Sequence, residues 1–119
     1  MSLKLHEPIY VVDDEPDLLD IVKELLTSRG YYAKTFLSAA KALESLKTEP
    51  PFLIISDFNM PQMNGLDFCG EVRKVLPQVP FVILTGRADK ELAVASLSAG
   101  VNDLIDKPVQ ENLLFGLIK

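Results

Sequence analysis

Ile9-Tyr10-Val11-Val12-Asp13-Asp14-Glu15-Pro16 is the stretch that decides the fold. Four consecutive apolar residues end abruptly in three acids, and a proline follows. A short unbroken apolar run reads as a strand buried on both faces, the mark of a parallel sheet. Proline suits the first turn of a helix, where its missing N–H costs nothing. The pattern recurs in Phe52-Leu53-Ile54-Ile55 before Ser56-Asp57, and in Phe81-Val82-Ile83-Leu84 before Thr85. Two weaker runs read as sheet edges: the aromatic-rich segment 31–36, and Leu104-Ile105 between two aspartates.

Helical patterns fill the intervals. Leu18, Ile21, Val22 and Leu25 recur at helical spacing, with Gly30 as a stop. Ser38 suits the cap of a second helix with Ala39, Leu43 and Leu46 inward. Leu66, Cys69, Val72 and Leu76 form a third stripe, closed by Pro77. Asp89 suits the cap of a fourth, with Leu92, Ala95 and Ala99 inward and Gly100 ending it. Leu113, Leu114, Leu117 and Ile118 begin a fifth. Strand and helix alternate five times through short connections. That predicts an α/β domain, a doubly wound five-stranded parallel sheet in the order 2-1-3-4-5.

Composition agrees. The 119 residues suffice for one domain and not two. A formal charge of −5, with only 12 lysines and arginines, shows no basic stripe for nucleic acid. A single cysteine, Cys69, forms no internal disulfide and falls on an inward stripe, so it reads as core. His6 is the only histidine, which argues against a histidine-based triad or a zinc site. No apolar run approaches the ~20 residues of a membrane helix, and no signal peptide opens the chain, so the expected location is cytoplasmic. The fifth helix reaches Lys119 after about ten residues without a capping glycine or proline. Residues 1–119 therefore read as one domain cut from a longer chain.

The chemistry lies where strands end. Ligands of an open parallel sheet bind at the strands' carboxyl ends, near the point where strand order reverses. There the predicted order gathers Asp13, Asp14, Asp57, Thr85 and Lys107. Two like charges about 4 Å apart repel by ~4 kcal/mol at an effective dielectric near 20, so the carboxylates need a cation. Hard oxygen donors suit Mg²⁺ or Mn²⁺. Such a metal points to phosphoryl chemistry, with an aspartate as nucleophile and an ammonium and a hydroxyl on the phosphoryl oxygens. Asp14 also suits the cap of the first helix.

These residues carry a resemblance. Val11-Val12-Asp13-Asp14-Glu15, the run Asp57-Phe58-Asn59-Met60-Pro61-Gln62-Met63-Asn64-Gly65, Leu84-Thr85-Gly86 and Asp106-Lys107-Pro108 occur in order, each at a strand end. Over essentially its whole length the chain resembles the receiver domain of two-component response regulators, which has the flavodoxin-like fold. The resemblance implies that Asp57 is phosphorylated by a histidine kinase or a phosphotransfer protein. It implies that Asp13, Asp14, Asp57 and the backbone carbonyl of Asn59 hold the metal. Thr85 would bond a phosphoryl oxygen, Lys107 would pair with the phosphoryl group, and Lys107-Pro108 would be cis. Gly65 would allow the turn into the third helix. The domain would not be a turnover enzyme, although it would assist its own phosphorylation and dephosphorylation. Its state would pass to an attached or separate output through the face of the fourth helix, fifth strand and fifth helix, a face that also reads as a homodimer surface.

Some positions depart from the family pattern. Leu104 stands where the family often carries an aromatic residue, and Gly86 where alanine is commoner. Arg87 is expected near the phosphoryl entrance, tuning phosphate lifetime. Two other functions compete with the phosphoacceptor reading: a degenerate receiver that takes no phosphate, and an aspartyl-phosphate phosphatase. The phosphatase pattern wants a second aspartate two residues after the nucleophile, where this chain has Asn59.

Overall fold

The computed structural model describes residues 7–86 and 89–118. Strands and helices alternate as β1 (Pro8–Val12), α1 (Pro16–Ser28), β2 (Tyr32–Phe36), α2 (Ala39–Ser45), β3 (Leu53–Asp57), α3 (Gly65–Val75), β4 (Phe81–Thr85), α4 (Lys90–Ala99), β5 (Asp103–Asp106) and α5 (Glu111–Leu117). All neighbouring strands are parallel, in the order β2-β1-β3-β4-β5. The predicted doubly wound sheet is therefore the observed one. β1, β3 and β4 are buried at every position, as their unbroken apolar runs require, while β2 and β5 are the half-exposed edges.

Alternate side chains of each strand serve opposite layers. On one face Ile9, Val11, Ile55, Val82 and Leu84 meet Leu19, Val22 and Leu26 of α1 and Leu114 of α5. On the other Tyr10, Val12, Ile54, Phe81 and Ile83 meet Ala42 of α2 and Phe68, Cys69 and Val72 of α3. Cys69 is fully buried, as expected. Arg29 ties α5 to the end of α1, with its guanidinium 4.1 Å from the Phe115 ring centre and 2.8 Å from the Glu111 carboxylate.

Helix ends follow the sequence signals and helix faces follow them less closely. Ser38, Asn64 and Asp89 cap α2, α3 and α4 through their side chains, and Pro16 opens α1. Gly30 and Gly100 take positive φ just beyond α1 and α4. The α1 stripe is rotated by one residue from the predicted one: Leu19, Val22 and Leu26 are buried and Ile21 is exposed. Its apolar arc is wide, and the sheet selects which edge of it to cover. In α3 Phe68 joins Cys69 and Val72 inside, while Leu66 and Leu76 are half-buried. In α4 the buried residue is Ser96, and Ala95, predicted inward, is exposed. In α5 Leu114 is buried, as is Ile118 just beyond its end, while Leu113 and Leu117 are exposed.

Candidate functional site

The carboxyl edge of the sheet is built around the reversal between β1 and β3. These strands are direct neighbours, with Val12 opposite Ser56, so the residues that follow, Asp13 and Asp57, emerge side by side. Asp13 is held from both sides. Its N–H donates to the Phe36 carbonyl at the end of β2, and its Oδ1 accepts the Glu15 N–H at 2.9 Å. Glu15, not Asp14, occupies the cap position of α1 and makes no side-chain cap bond, so Asp14 is left exposed at the site. Oxygens of Asp13, Asp14 and Asp57 lie within 4.8 Å of one another.

Lys107 supplies the compensating charge. Its ammonium is 2.6 Å from Asp57 Oδ1 and 3.6 Å from Asp13 Oδ2. Burial alone would lower its pKa, but the Asp57 bond and the Asp13 charge outweigh burial and hold it above its ordinary value. The Lys107-Pro108 peptide is cis, and the Lys107 N–H donates to the Thr85 carbonyl at 2.8 Å. Thr85 is itself buried at the end of β4, beside the Asp57 strand.

One ammonium does not balance three carboxylates. Asp13 is 1% exposed, and its Oδ2 has no hydrogen-bond partner, since 3.6 Å is an ion-pair distance only. Burial first, and then the Asp57 charge, push the Asp13 carboxyl up to about 6, against the Glu15 N–H and Lys107 that pull it down. An unpaired buried oxygen among three converging carboxylates is a donor set for a hard divalent cation with a partly aqueous shell. The residues present fit Mg²⁺ or Mn²⁺ and not zinc.

The β3–α3 loop closes the site. The Gly65 N–H donates to the Phe58 carbonyl at 2.8 Å, and a Cβ on Gly65 would lie 2.8 Å from the Asp57 carbonyl oxygen. The turn into α3 thus needs a glycine for close approach. Gln62 takes a positive φ of 72°, and Met60 and Met63 pack against the core beside it. Asn59 and Thr85 face a hollow of about 540 Å³ shared with Leu66, Gly86 and Ala95. All the sequence-predicted site positions, Asp13, Asp14, Asp57, Asn59, Thr85 and Lys107, therefore lie along one edge. The Phe36 carbonyl, which fixes Asp13, was not foreseen, because a backbone acceptor on a neighbouring strand leaves no mark in side-chain pattern. Arg87 and His6 lie outside the described residues.

Comparison with known proteins gives the same architecture. The family model for the response regulator receiver domain matches residues 9–119. The transcriptional regulatory protein GlrR of Escherichia coli is 38% identical over 115 residues, covering 95% of this chain and 26% of that protein. The chain thus spans about a quarter of that relative's length. Among solved structures, chemotaxis protein CheY4 of Vibrio cholerae superposes with a TM-score of 0.89 at 27% identity, covering 92% of this chain and 93% of that one. The receiver domain of NtrX from Brucella abortus gives 0.85 at 32% identity, covering 92% of each.

Proposed function

The chain belongs to the response regulator receiver family, and from that premise we propose that it is a phosphoacceptor switch whose acceptor is Asp57. The observation that carries this reading is the placement of Lys107 at 2.6 Å from Asp57 Oδ1, with the orphaned Asp13 oxygen beside it. A histidine kinase or phosphotransfer protein is the natural donor. The Asp57 carboxylate attacks the phosphorus of the donor's phosphohistidine, the P–N bond breaks, and the imidazole leaves with the electron pair. Asp13, Asp14, Asp57 and the Asn59 carbonyl would hold Mg²⁺, which when bound supplies charge neutralisation for the phosphoryl oxygens. Lys107 pairs with a second phosphoryl oxygen, and the Thr85 hydroxyl bonds a third. The fixed carbonyl–amide contact between Thr85 and Lys107 keeps both groups at the same edge.

Regulation rather than turnover is the proposed role. The new phosphoryl group draws on Lys107 and Thr85, and the elements that follow them, α4 and α5, carry the change to an output. The proposed setting is the cytoplasm; among the described residues no helix is long and apolar enough to cross a membrane. Residues 1–119 are proposed as one receiver domain of a longer regulator, with its output attached or carried by a separate protein.

Acetyl phosphate with Mg²⁺, read by intact mass, tests the proposal. The expected result is one added phosphoryl group in the wild type and none in Asp57→Asn. Absence of uptake, with beryllofluoride also failing to bind, supports the degenerate receiver. Continuous release of phosphate from small phosphomonoesters supports the phosphatase.

A further inference from the structure

β3 carries one polar side chain before its terminal aspartate. Ser56 follows Leu53, Ile54 and Ile55, and its neighbours across the sheet are Val12 of β1 and Ile83 of β4. It is fully buried. A hydroxyl in such surroundings is costly unless it finds a partner. Alanine would fill nearly the same space without that cost. Ser56 does find a partner: its hydroxyl donates to the backbone carbonyl of Asp57 at 2.9 Å. The same carbonyl oxygen is the atom that a Cβ on Gly65 would meet at 2.8 Å. The start of α3 therefore closes on one side of this oxygen, and the Ser56 hydroxyl grips it.

The Asp57 carbonyl and the Phe58 N–H belong to one rigid peptide plane. The Phe58 N–H donates to the Leu84 carbonyl of β4 at 3.0 Å, so the plane is held at both ends. Its orientation is a rotation about the Cα–C bond of Asp57, and that rotation sets where the chain goes next. It fixes the Asp57 carboxylate, 2.6 Å from Lys107, relative to the Asn59 carbonyl two residues on. With the Leu84 bond alone the plane could rock about a single anchor. We propose that Ser56 is a positioning residue for phosphoryl acceptance: its hydroxyl locks the Asp57–Phe58 peptide plane, and with it the placement of the Asp57 carboxylate against the Asn59 carbonyl. This deepens the reading of Asp57 as the acceptor and rests on it. Ser56 touches no reacting atom and acts through the backbone of the residue that does. Preorganisation of this kind is felt in the rate of the bound complex more than in its formation.

Ser56→Ala keeps the small volume and removes the hydroxyl. Ile9→Val, near the start of β1 and away from Asp13, is the control for a general loss of stability. Phosphoryl uptake from phosphoramidate with Mg²⁺ is followed on the whole chain, at a temperature where all three proteins are folded. The maximal rate of Ser56→Ala is expected to fall about tenfold, the loss of one hydrogen bond from the reacting arrangement, with KM for the donor little changed. Ile9→Val is expected to keep the wild-type rate. A second readout needs neither donor nor metal. In EDTA, amide exchange at Phe58 is expected to quicken in Ser56→Ala and not in Ile9→Val, because that N–H shares the plane the hydroxyl held. A wild-type maximal rate in Ser56→Ala, a rise in KM alone, an equal loss in Ile9→Val, or unchanged exchange at Phe58 would overturn the proposal. Uptake by the wild type separates the two ideas. Normal uptake that Ser56→Ala leaves untouched rejects the positioning role alone, and a wild type that takes up no phosphoryl group rejects the acceptor reading and the positioning role with it.

Discussion

Gly65 sits where a side chain has no room. A Cβ there would meet the Asp57 carbonyl at 2.8 Å and the Phe58 Cα at 3.1 Å, both backbone atoms that cannot swing away. Gly65→Ala is therefore expected to destabilise the domain by about 1–3 kcal/mol and to displace the acceptor strand's end, so that phosphoryl uptake slows as well. Gly70, in the middle of α3, has nothing within 4 Å of the same position. Gly70→Ala is expected to stabilise by roughly 0.5–1 kcal/mol through helix propensity alone. Urea denaturation of the two variants side by side checks both signs. Tyr10 gives a second case. Its buried hydroxyl is hydrogen-bonded to Ser45 Oγ at 2.9 Å and donates to the Glu49 carbonyl, and burial raises its pKa above 10.0. The folded state thus holds the proton more tightly than the unfolded chain, so this contribution is complete below pH 10.0 and is lost as pH rises towards the folded value. Tyr10→Phe is expected to cost about 1–2 kcal/mol at neutral pH and to flatten the alkaline fall of Tm relative to the wild type.

Among the elements, α4 is held differently from α1. It buries one residue, Ser96, where α1 buries three. Its ends are fixed instead: Asp89 Oδ1 accepts the Leu92 N–H at 2.9 Å, and Arg73 of α3 donates to the Gly100 carbonyl at 2.8 Å. A helix with one buried side chain and capped ends is expected to open before the central strands. Asp89→Ala is expected to remove about 1 kcal/mol, felt locally. Amide exchange should accelerate throughout α4 while protection in β1 and β3 stays unchanged; an equal loss in the central strands would show that α4 opens only with the whole domain. This element also marks the limit of what the sequence reveals. Strands were legible because a run such as Ile9–Val12 is apolar on both faces and admits one environment. Caps were legible because Ser38 and Asp89 act within three residues of themselves. The inward face of α4 was not, because Leu92, Ala95 and Ala99 form as good a stripe as any, and packing against the rest of the domain, not the helix's own pattern, buries Ser96. The site was legible for the opposite reason: each of its side chains ends a strand or lies within two residues of its end, and strand order brings Asp13 and Asp57 together.

At the scale of the whole molecule, stability and function pull in opposite directions on the same charges. The formal charge is −5, and part of it is gathered where Asp13, Asp14 and Asp57 share one edge against a single ammonium. A fold selected for stability alone would not leave a carboxylate oxygen buried and unpartnered, and natural proteins accept such strain at working sites. Asp13→Asn removes the charge and keeps the Oδ1 acceptor for the Glu15 N–H. In EDTA this variant is expected to be more stable than the wild type by about 1–3 kcal/mol, because the folded state disfavours the ionised carboxyl. Adding Mg²⁺ should narrow that gap, and close it as the concentration rises well above Kd. A ligand that binds only the folded state stabilises it by ~1.4 kcal/mol at ten times its Kd, and the wild type should show that gain while Asp13→Asn loses most of it. Urea denaturation of both proteins with EDTA and with Mg²⁺ gives the four numbers of the cycle. A variant that is less stable than the wild type in EDTA would mean that Asp13 serves the fold through Lys107. A variant that keeps the full Mg²⁺ gain would mean that the cation is held without it.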